Sequence, residues 1–399
     1  MNQFALPSTA TALSIRPTIA RLPQSLIRQI ANGAMGRPGV DAFWFGESDR
    51  PTPEFVVEVG MAAMRAGGAF YTPNLGIPAL REAITAYLKR LHGHSVVSDR
   101  VAVTSSGVSA LMIVSQLLVE PGDHVVAVTP LWPNIPDMAT ALGARVERVS
   151  LQVRDGRWSL DLDWLLGAIG PRTRLLIVNS PNNPTGWTMT AGERAAILAH
   201  CRRLGVWILS DDVYQRLYFG ESRTAPSFLD VSDPADRLFS VNSFSKAWCM
   251  TGWRLGWMVA PEGFAPELAK VIEFNTSCAP EFVQRAGIAA LENGETHIEE
   301  LRRDLMVAGA RLRSALATID GVDVPASDGA MYAFLRLAWD ADSMALAETL
   351  LETVGLGLAP GVAFGAEGEG WLRWCYAAQP DKLERGVEKF RRFLAIASA

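Results

Sequence analysis

Lys246 is set apart from the other lysines of this chain by its surroundings. The 399-residue sequence has five lysines against thirty-two arginines. Four of the five lie in charged stretches that are typical of helices: Lys89, Lys270, Lys382 and Lys389. Lys246 lies instead among small hydroxyl residues, aromatic residues and a glycine turn. Such surroundings can desolvate an amine and favour its neutral, nucleophilic form. A surface lysine on a loop before a strand would be the better interpretation of an isolated Ser-x-Ser-Lys.

The segment around Lys246 also carries groups that suit a phosphate. Ser243 and Ser245 stand just before the lysine, and Arg254 follows eight positions after it. Two hydroxyls and a fixed guanidinium can hold phosphate oxygens. An amine nucleophile beside a phosphate site suggests pyridoxal 5'-phosphate (PLP), held by Lys246 as a Schiff base.

A second candidate site lies at the end of the apolar segment VWILSDDVY. Its carboxylate, Asp211, would stand at the carboxyl end of a buried parallel strand, where α/β folds bind ligands. PLP needs an anion at its pyridine nitrogen, and Tyr214 could bond the ring oxygen. Asp212 is the competing carboxylate, and a helix N-cap is the alternative role for Asp211.

Three further segments offer groups for the same cofactor. The small-residue turn 104–108 lies between a strand and a helix, where backbone N–H groups bind phosphate. Asn183, in SPNNPTG, offers an amide to a cofactor oxygen. Trp132, in TPLWPNIP, could stack on a ring. Taken singly, each is also compatible with an ordinary turn or with core packing.

Arg373 lies inside the apolar segment GEGWLRWCYA. A guanidinium in a buried strand is costly unless it has a partner. A bidentate contact with a substrate carboxylate would supply that partner. A buried structural ion pair is the alternative.

Short apolar strands alternate with helical stretches through most of the chain. We predict strands at 101–104, 125–128, 175–179, 206–210, 238–243 and 255–259. Strands separated by helices indicate a mostly parallel sheet that is covered on both faces. Helical patterns then run over 266–317, and later strands at 333–337 and 371–376 indicate a second, smaller α+β domain.

Composition excludes several classes of function. The net charge of −5 comes without a basic stripe, so we expect no nucleic-acid partner. No apolar run is long enough to span a bilayer. The four cysteines are widely separated and form no C-x-x-C, so we expect no metal site and a reducing, cytoplasmic location. Residues 1–40 contain no acidic residue and weakly suggest a transit peptide, but we favour an ordered arm.

Together these segments resemble the class I/II aminotransferases of the aspartate aminotransferase type, which are fold-type I PLP enzymes. The motifs follow the family's order from FGESDRPTP (45–53) to WLRWCYA (371–377). Between them stand YTPNLGIPALREAI, SSGVSAL, PLWPN, NSPNNPTG, SDDVY, SFSKAWCMTGWRLGW and GVAFG. The resemblance implies a mostly parallel seven-stranded sheet. It also implies an arm and part of the small domain at 1–50, a large PLP-binding domain at 51–300 and a small domain at 301–399.

The resemblance also assigns roles by position. Lys246 would be the Schiff-base lysine and move the proton, Asp211 would pair with the pyridine nitrogen, and Arg373 would bind the substrate α-carboxylate. The remaining assignments are the ring oxygen for Tyr214 and Asn183, ring stacking for Trp132, phosphate contacts for Ser106, Gly107, Val108, Ser243, Ser245 and Arg254, and substrate contacts for Gly46, Trp132 and Asn183. Tyr71 would reach the phosphate of a neighbouring subunit, which implies a homodimer. Departures from the family pattern occur at Val108, Ile135, Ser48 and Trp257.

The implied activity is transfer of an amino group between an L-amino acid and a 2-oxo acid by a ping-pong mechanism. We expect 2-oxoglutarate as acceptor. No residue is assigned by motif to a distal carboxylate, and Phe43, Trp44, Phe45 and Trp187 lie near the predicted site loops. These aromatic residues favour an apolar or aromatic donor, unless they simply form core. A PLP-dependent carbon–sulfur lyase on the same fold is the alternative. A PLP-sensing regulator is disfavoured because no DNA-binding segment is evident.

Overall fold

The computed structural model describes residues 15–338 and 342–397, which form thirteen helices and fifteen strands. The helices are α1 Pro17–Ala20, α2 Leu26–Asn32, α3 Glu54–Arg65, α4 Pro78–His92, α5 Gly107–Leu118, α6 Asn134–Ala141, α7 Leu162–Ala168, α8 Ala191–Leu204, α9 Ala265–Asn275, α10 Glu281–Asn293, α11 Glu295–Ala317, α12 Ser343–Val354 and α13 Pro380–Ala397. The strands are β1 Asp41–Ala42, β2 Val101–Thr104, β3 His124–Thr129, β4 Arg145–Ser150, β5 Gln152–Arg154, β6 Arg157–Ser159, β7 Thr173–Asn179, β8 Trp207–Asp211, β9 Leu238–Ser243, β10 Gly256–Val259, β11 Val322–Asp323, β12 Tyr332–Leu337, β13 Leu356–Gly357, β14 Ala359–Pro360 and β15 Trp371–Cys375.

A seven-stranded sheet forms the centre of the molecule, in the order β2-β10-β9-β8-β7-β3-β4. Strand β10 runs antiparallel to both neighbours, and the other pairs are parallel. The prediction of a mostly parallel sheet is thereby confirmed. Six of the seven strands were predicted. The seventh, β4, is a partly exposed edge strand with the sequence RVERVS. Charged residues interrupt its apolar residues, so it contains no apolar run that would predict a buried strand.

Apolar side chains cover both faces of this sheet. In β3, Val126 and Val128 belong to one buried cluster, whereas Val125 and Ala127 belong to another. Alternate residues of a strand point to opposite faces, so each strand contributes to two cores. Strands buried on both sides are therefore continuous apolar runs, which is why they were visible in the sequence.

A smaller antiparallel sheet follows in the order β11-β12-β15-β14, with α12 and α13 packed nearby. The pattern over 266–317 resolves into three helices, α9 to α11. Domain boundaries near residues 50 and 300 stay a prediction. Within the expected N-terminal arm, Arg16 donates to the Ala141 carbonyl at 3.1 Å; residues 1–14 lie outside the described part of the chain.

The carboxyl ends of β7, β8 and β9 place polar residues along one edge of the large sheet. Asn179, Asp211 and Ser243 are the last residues of these strands, and Ser106 lies in the turn between β2 and α5. Parallel strands bring their carboxyl ends together, so residues far apart in sequence meet there. In the part of the chain that the structure describes, no helix has the length and apolar character needed to cross a bilayer.

Candidate active site

A cavity of about 680 Å³ opens at this edge of the sheet. All but two of the predicted site residues line it: Gly46, Gly107, Val108, Trp132, Asn183, Asp211, Tyr214, Ser243, Ser245, Lys246, Arg254 and Arg373. The two others differ in position. Ser106 is buried at the N-cap of α5, whereas Tyr71 is 91% exposed on the surface.

The Lys246 amine projects into this cavity between the Gly46 backbone and the Tyr214 ring. Its Nζ donates to the Gly46 carbonyl oxygen and lies 5.7 Å from the centre of the Tyr214 ring. Burial lowers the pKa of Lys246 to about 8, and the positive charges of Arg373 and Arg254 act in the same direction. No carboxylate within ion-pair distance restores the charge, among the residues described. A neutral amine that can attack an aldehyde is therefore accessible near physiological pH.

We expect covalent capture of PLP by the apoenzyme to accelerate as pH rises. Only the neutral amine reacts, so the rate should increase about tenfold per pH unit below pH 8 and level off above it. Stopped-flow absorbance from about pH 6 to 9.5 measures this. Asp211, whose pKa is near 7, titrates in the same window, so Asp211→Asn measured in parallel isolates the amine. A rate that does not change with pH would contradict this assignment.

Asp211 is a buried carboxylate without a cationic partner in the described structure. Its Oδ1 accepts from the Val213 N–H at 3.3 Å, and no α-helix begins there, which leaves the alternative N-cap role unsupported. Burial raises the pKa of Asp211 to about 7, with a contribution from neighbouring Asp212. A protonated pyridine nitrogen would supply the missing charge partner.

The competing carboxylate, Asp212, faces a different environment. It accepts hydroxyl hydrogen bonds from Ser210 at 2.6 Å, Ser227 at 3.1 Å and Ser240 at 2.6 Å, and it does not line the cavity. Asp212 therefore has its own partners inside the protein. Of the two neighbouring carboxylates, Asp211 is the one available to a ligand.

Tyr332 is a site residue that the sequence did not reveal. Its hydroxyl lies 2.6 Å from that of Tyr214, and its ring lies 4.7 Å below the Arg373 guanidinium. Burial raises the pKa of Tyr214 well above its usual value, so its phenol is neutral. In the sequence, Tyr332 is one aromatic residue in the strand YAFLRL, and nothing separates it from a core residue.

We expect Gly46→Ala to lower kcat/KM about 10- to 100-fold, because it displaces groups at the reacting centre. A Cβ at Gly46 would lie 2.0 Å from the Tyr332 hydroxyl, and the Gly46 carbonyl holds Lys246. Steady-state kinetics measure the change in kcat/KM, and a thermal melt measures the change in stability. Gly192→Ala, where a Cβ meets nothing within 4 Å, is the control. Unchanged kinetics would show that the site tolerates the displacement.

Four groups converge where a phosphate would bind. Helix α5 begins at Gly107, and Ser106 before it has a φ of 132°. The hydroxyls of Ser243 and Ser245 lie 2.9 Å apart, and Arg254 approaches Ser245 at 3.5 Å. Arg254 has no carboxylate partner in the described structure, and burial lowers its pKa. A helix N-terminus, two hydroxyls and an uncompensated guanidinium fit the phosphate of PLP.

Arg373 is almost completely buried without a carboxylate partner among the described residues. Its guanidinium donates to the Trp44 carbonyl and, at 3.1 Å, to the Asn183 side-chain oxygen, while its Nε has no hydrogen-bond partner within residues 15–338 and 342–397. The structural ion pair that the sequence left open is therefore not seen in the described part of the chain. A buried guanidinium with spare donors facing a cavity is suited to a substrate carboxylate.

The aromatic residues near the site loops divide into two groups. Trp44, Phe45 and Trp132 line the cavity. Phe43 packs against Trp374 with ring centres 5.2 Å apart, and Trp187 is buried in the core, so these two are structural.

The site as a whole fits PLP: an amine of lowered pKa for the aldehyde, a carboxylate for the ring nitrogen and a cradle for the phosphate. Comparison with known proteins leads to the same class. The family described as Aminotransferase class I and II matches residues 42–390. The aspartate aminotransferase of Pyrococcus horikoshii is 30% identical over 383 residues, which cover 95% of this chain and 97% of the relative.

Solved structures show the same similarity. The aspartate aminotransferase of Thermus thermophilus with maleate has a TM-score of 0.88 at 30% identity, covering 96% of this chain and 100% of that one. The aromatic aminotransferase of Pyrococcus horikoshii has a TM-score of 0.84 at 29% identity, covering 92% and 99%. The chain therefore belongs to the class I and II aminotransferases, a family of PLP-dependent enzymes of fold type I.

Proposed function

We propose that this aminotransferase moves an amino group from an apolar or aromatic L-amino acid to 2-oxoglutarate by a ping-pong mechanism. The observation that carries the proposal is that the Lys246 amine and the Arg373 guanidinium, both without a carboxylate partner in the described structure, line one cavity. Together they provide a nucleophile at the reacting carbon and an anchor for the substrate α-carboxylate.

Each residue role follows from its chemistry. Lys246 would hold the cofactor through its aldehyde, and its amine, once displaced by the donor's amine, would carry the proton from the substrate α-carbon to the former aldehyde carbon. PLP, when bound, supplies the electron sink for this step. Asp211 keeps the ring nitrogen protonated, because an ionised carboxylate stabilises the adjacent positive charge. Tyr214 and Asn183 are proposed to contact the ring oxygen, and Trp132 to stack on the ring.

The walls of the cavity support the proposed donor class. Trp44 and Phe45, with Ile27 and Met35, present apolar surface beside the reacting centre. The two solved relatives are named for aspartate and for aromatic substrates, so relatedness alone leaves the donor open.

Initial rates with a panel of amino acids and 2-oxo acids test this proposal. The expected result is highest kcat/KM for apolar or aromatic donors with 2-oxoglutarate, and parallel double-reciprocal lines when both substrates are varied. Ammonia or pyruvate released without any need for an acceptor would indicate the lyase alternative. Intersecting lines would contradict the ping-pong mechanism.

We also propose that the active form is a homodimer in which Tyr71 reaches the phosphate of the partner's site. Several large apolar side chains near Tyr71 are exposed, among them Phe70 at 80%, Met64 at 52% and Phe274 at 87%. The loop after Tyr71 is joined to the Phe274 region, because Asn74 donates to the Ser277 carbonyl at 2.8 Å. Clustered exposed apolar groups of this kind are typical of interaction surfaces.

Mixing two variants that are each expected to have impaired activity tests this arrangement. In a hybrid of Lys246→Ala and Tyr71→Ala subunits, one site carries both changes and the other carries neither. After subunit exchange we expect activity to rise to about a quarter of the wild-type value, since half of randomly paired dimers are hybrids. Each variant mixed with itself is the control. No recovery, although mass measurements show hybrids, would mean that Tyr71 does not act across subunits.

The cysteines support a cytoplasmic location as a further proposal. All four are free thiols, and three of them are buried: Cys201, Cys249 and Cys375. Free buried thiols are typical of reducing compartments.

A further inference from the structure

Of the residues that the structure describes, four cationic side chains line the active-site cavity, and the proposed function gives a partner to three of them. Lys246 binds the cofactor aldehyde, Arg254 the phosphate and Arg373 the substrate α-carboxylate. The fourth is Arg28, from the short helix α2 near the N-terminus. Its guanidinium lies 4.7 Å from the centre of the Phe45 ring, and no carboxylate is within ion-pair distance among the described residues.

Three consecutive residues connect Arg28 to the reacting centre. The Trp44 carbonyl accepts from Arg373, the Phe45 ring lies against Arg28, and the Gly46 carbonyl accepts from Lys246. Neighbouring Cα atoms are about 3.8 Å apart, so all three cations contact one tripeptide. A substrate anchored at Arg373 and reacting beside Lys246 has only its side chain left to meet Arg28.

We propose that Arg28 is a specificity-determining residue that binds the distal carboxylate of a dicarboxylic substrate, in the first place that of the 2-oxo acid acceptor. This proposal rests on the proposed transamination. A guanidinium is the side chain best suited to hold a carboxylate through two hydrogen bonds. The sequence motifs assigned no cation to a second substrate carboxylate. Arg28 supplies one in the folded chain.

Arg28 and Phe45 together explain how one cavity would accept both an apolar donor and an acidic acceptor. The Phe45 ring, with the Ile27 and Met35 side chains, offers apolar contact to a donor side chain, while the Arg28 head group serves an acidic acceptor. A guanidinium over an aromatic face remains free to bind an anion with its edge.

Glu47 and Asp211 are the carboxylates among the described residues that line the cavity, and Glu47 is the one without an assigned role. It is exposed, lines the same cavity, and its carboxylate accepts from the Thr251 hydroxyl at 3.4 Å. It forms no ion pair with Arg28 in the described structure. A carboxylate at this position opposes a second carboxylate, so Glu47→Gln should bind dicarboxylates at least as tightly as wild type.

Binding of two unreactive acids to the PLP-loaded enzyme tests the role of Arg28. Succinate and butyrate have the same four-carbon chain and differ by one carboxylate. Their dissociation constants are measured by calorimetry for wild type, Arg28→Gln, Arg28→Lys and the control Arg21→Gln. Arg21 is exposed on the same N-terminal segment but does not line the cavity.

Arg28→Gln is expected to weaken succinate binding about 10- to 100-fold while butyrate binding changes less than about twofold. Arg28→Lys should recover part of the loss, and Arg21→Gln should match wild type. Equal weakening of both acids, or none, would overturn the assignment. The half-reaction with a neutral amino acid separates the two proposals. If wild type performs it but shows no preference for succinate, only the role of Arg28 fails; if wild type does not perform it, the proposed function fails.

Discussion

Replacing Lys246 with alanine is expected to lower kcat for transamination by about 10⁴-fold or more. The variant loses the amine that binds the cofactor aldehyde and the base that moves the α-proton, and each role alone contributes orders of magnitude. Rapid-quench assays of one half-reaction measure the loss. Borohydride treatment followed by mass spectrometry gives a second readout, since wild type should retain the cofactor covalently at residue 246 and the variant should not.

Lys270→Ala is the matched control for this experiment. Lys270 is exposed on α9 and pairs with Glu267 at 2.9 Å. It does not line the cavity. It should retain both activity and covalent labelling at residue 246. Retention of labelling or of full activity in Lys246→Ala would show that another residue is the nucleophile.

Replacing Arg373 with lysine is expected to lower kcat/KM about 10²- to 10³-fold for every substrate. Lysine keeps the charge but loses the planar fork that faces the α-carboxylate, and it leaves the Trp44 carbonyl and the Asn183 side chain without their donors. All amino acids and 2-oxo acids carry this carboxylate, so donors and acceptors should lose equally. Kinetics with one neutral donor and one dicarboxylic acceptor measure this, together with the dissociation constant of PLP, which should change little.

Arg336→Lys on the adjacent strand β12 controls for a general effect on this sheet. Arg336 is exposed and pairs with Asp323 at 3.1 Å. Arg336→Lys should leave kcat/KM within about twofold of wild type. If Arg373→Lys lowers thermal stability without changing kcat/KM, the guanidinium is a structural group and not the carboxylate anchor.

The strands that could be predicted from the sequence are those in which several consecutive residues are apolar. Strands β7, β8 and β9 each contain a run of apolar residues because nearly all of their positions are buried. The edge strand β4 has one exposed side and charged residues, so its signal resembles that of a loop. The helical pattern over 266–317 predicted the element type but not the breaks near Thr276 and Gly294.

The candidate site divides in the same way. Lys246, Asp211 and Arg373 were visible because a titratable group in an apolar or small-residue segment is unusual by itself. Tyr332 and Arg28 were not. A tyrosine in an apolar strand and an arginine on the exposed side of a short helix are ordinary, and only the folded chain brings them against Arg373 and Phe45.

We expect this cavity to carry out half of a transamination with a single amino acid and no acceptor. The direct measurement is the absorbance spectrum of the PLP-loaded enzyme during titration with an apolar or aromatic amino acid, together with assay of the oxo acid released. We expect the visible cofactor band to shift to shorter wavelength, one oxo acid to be released per active site, and 2-oxoglutarate to restore the band. Continued product release without an acceptor, or no spectral change with any amino acid, would contradict it.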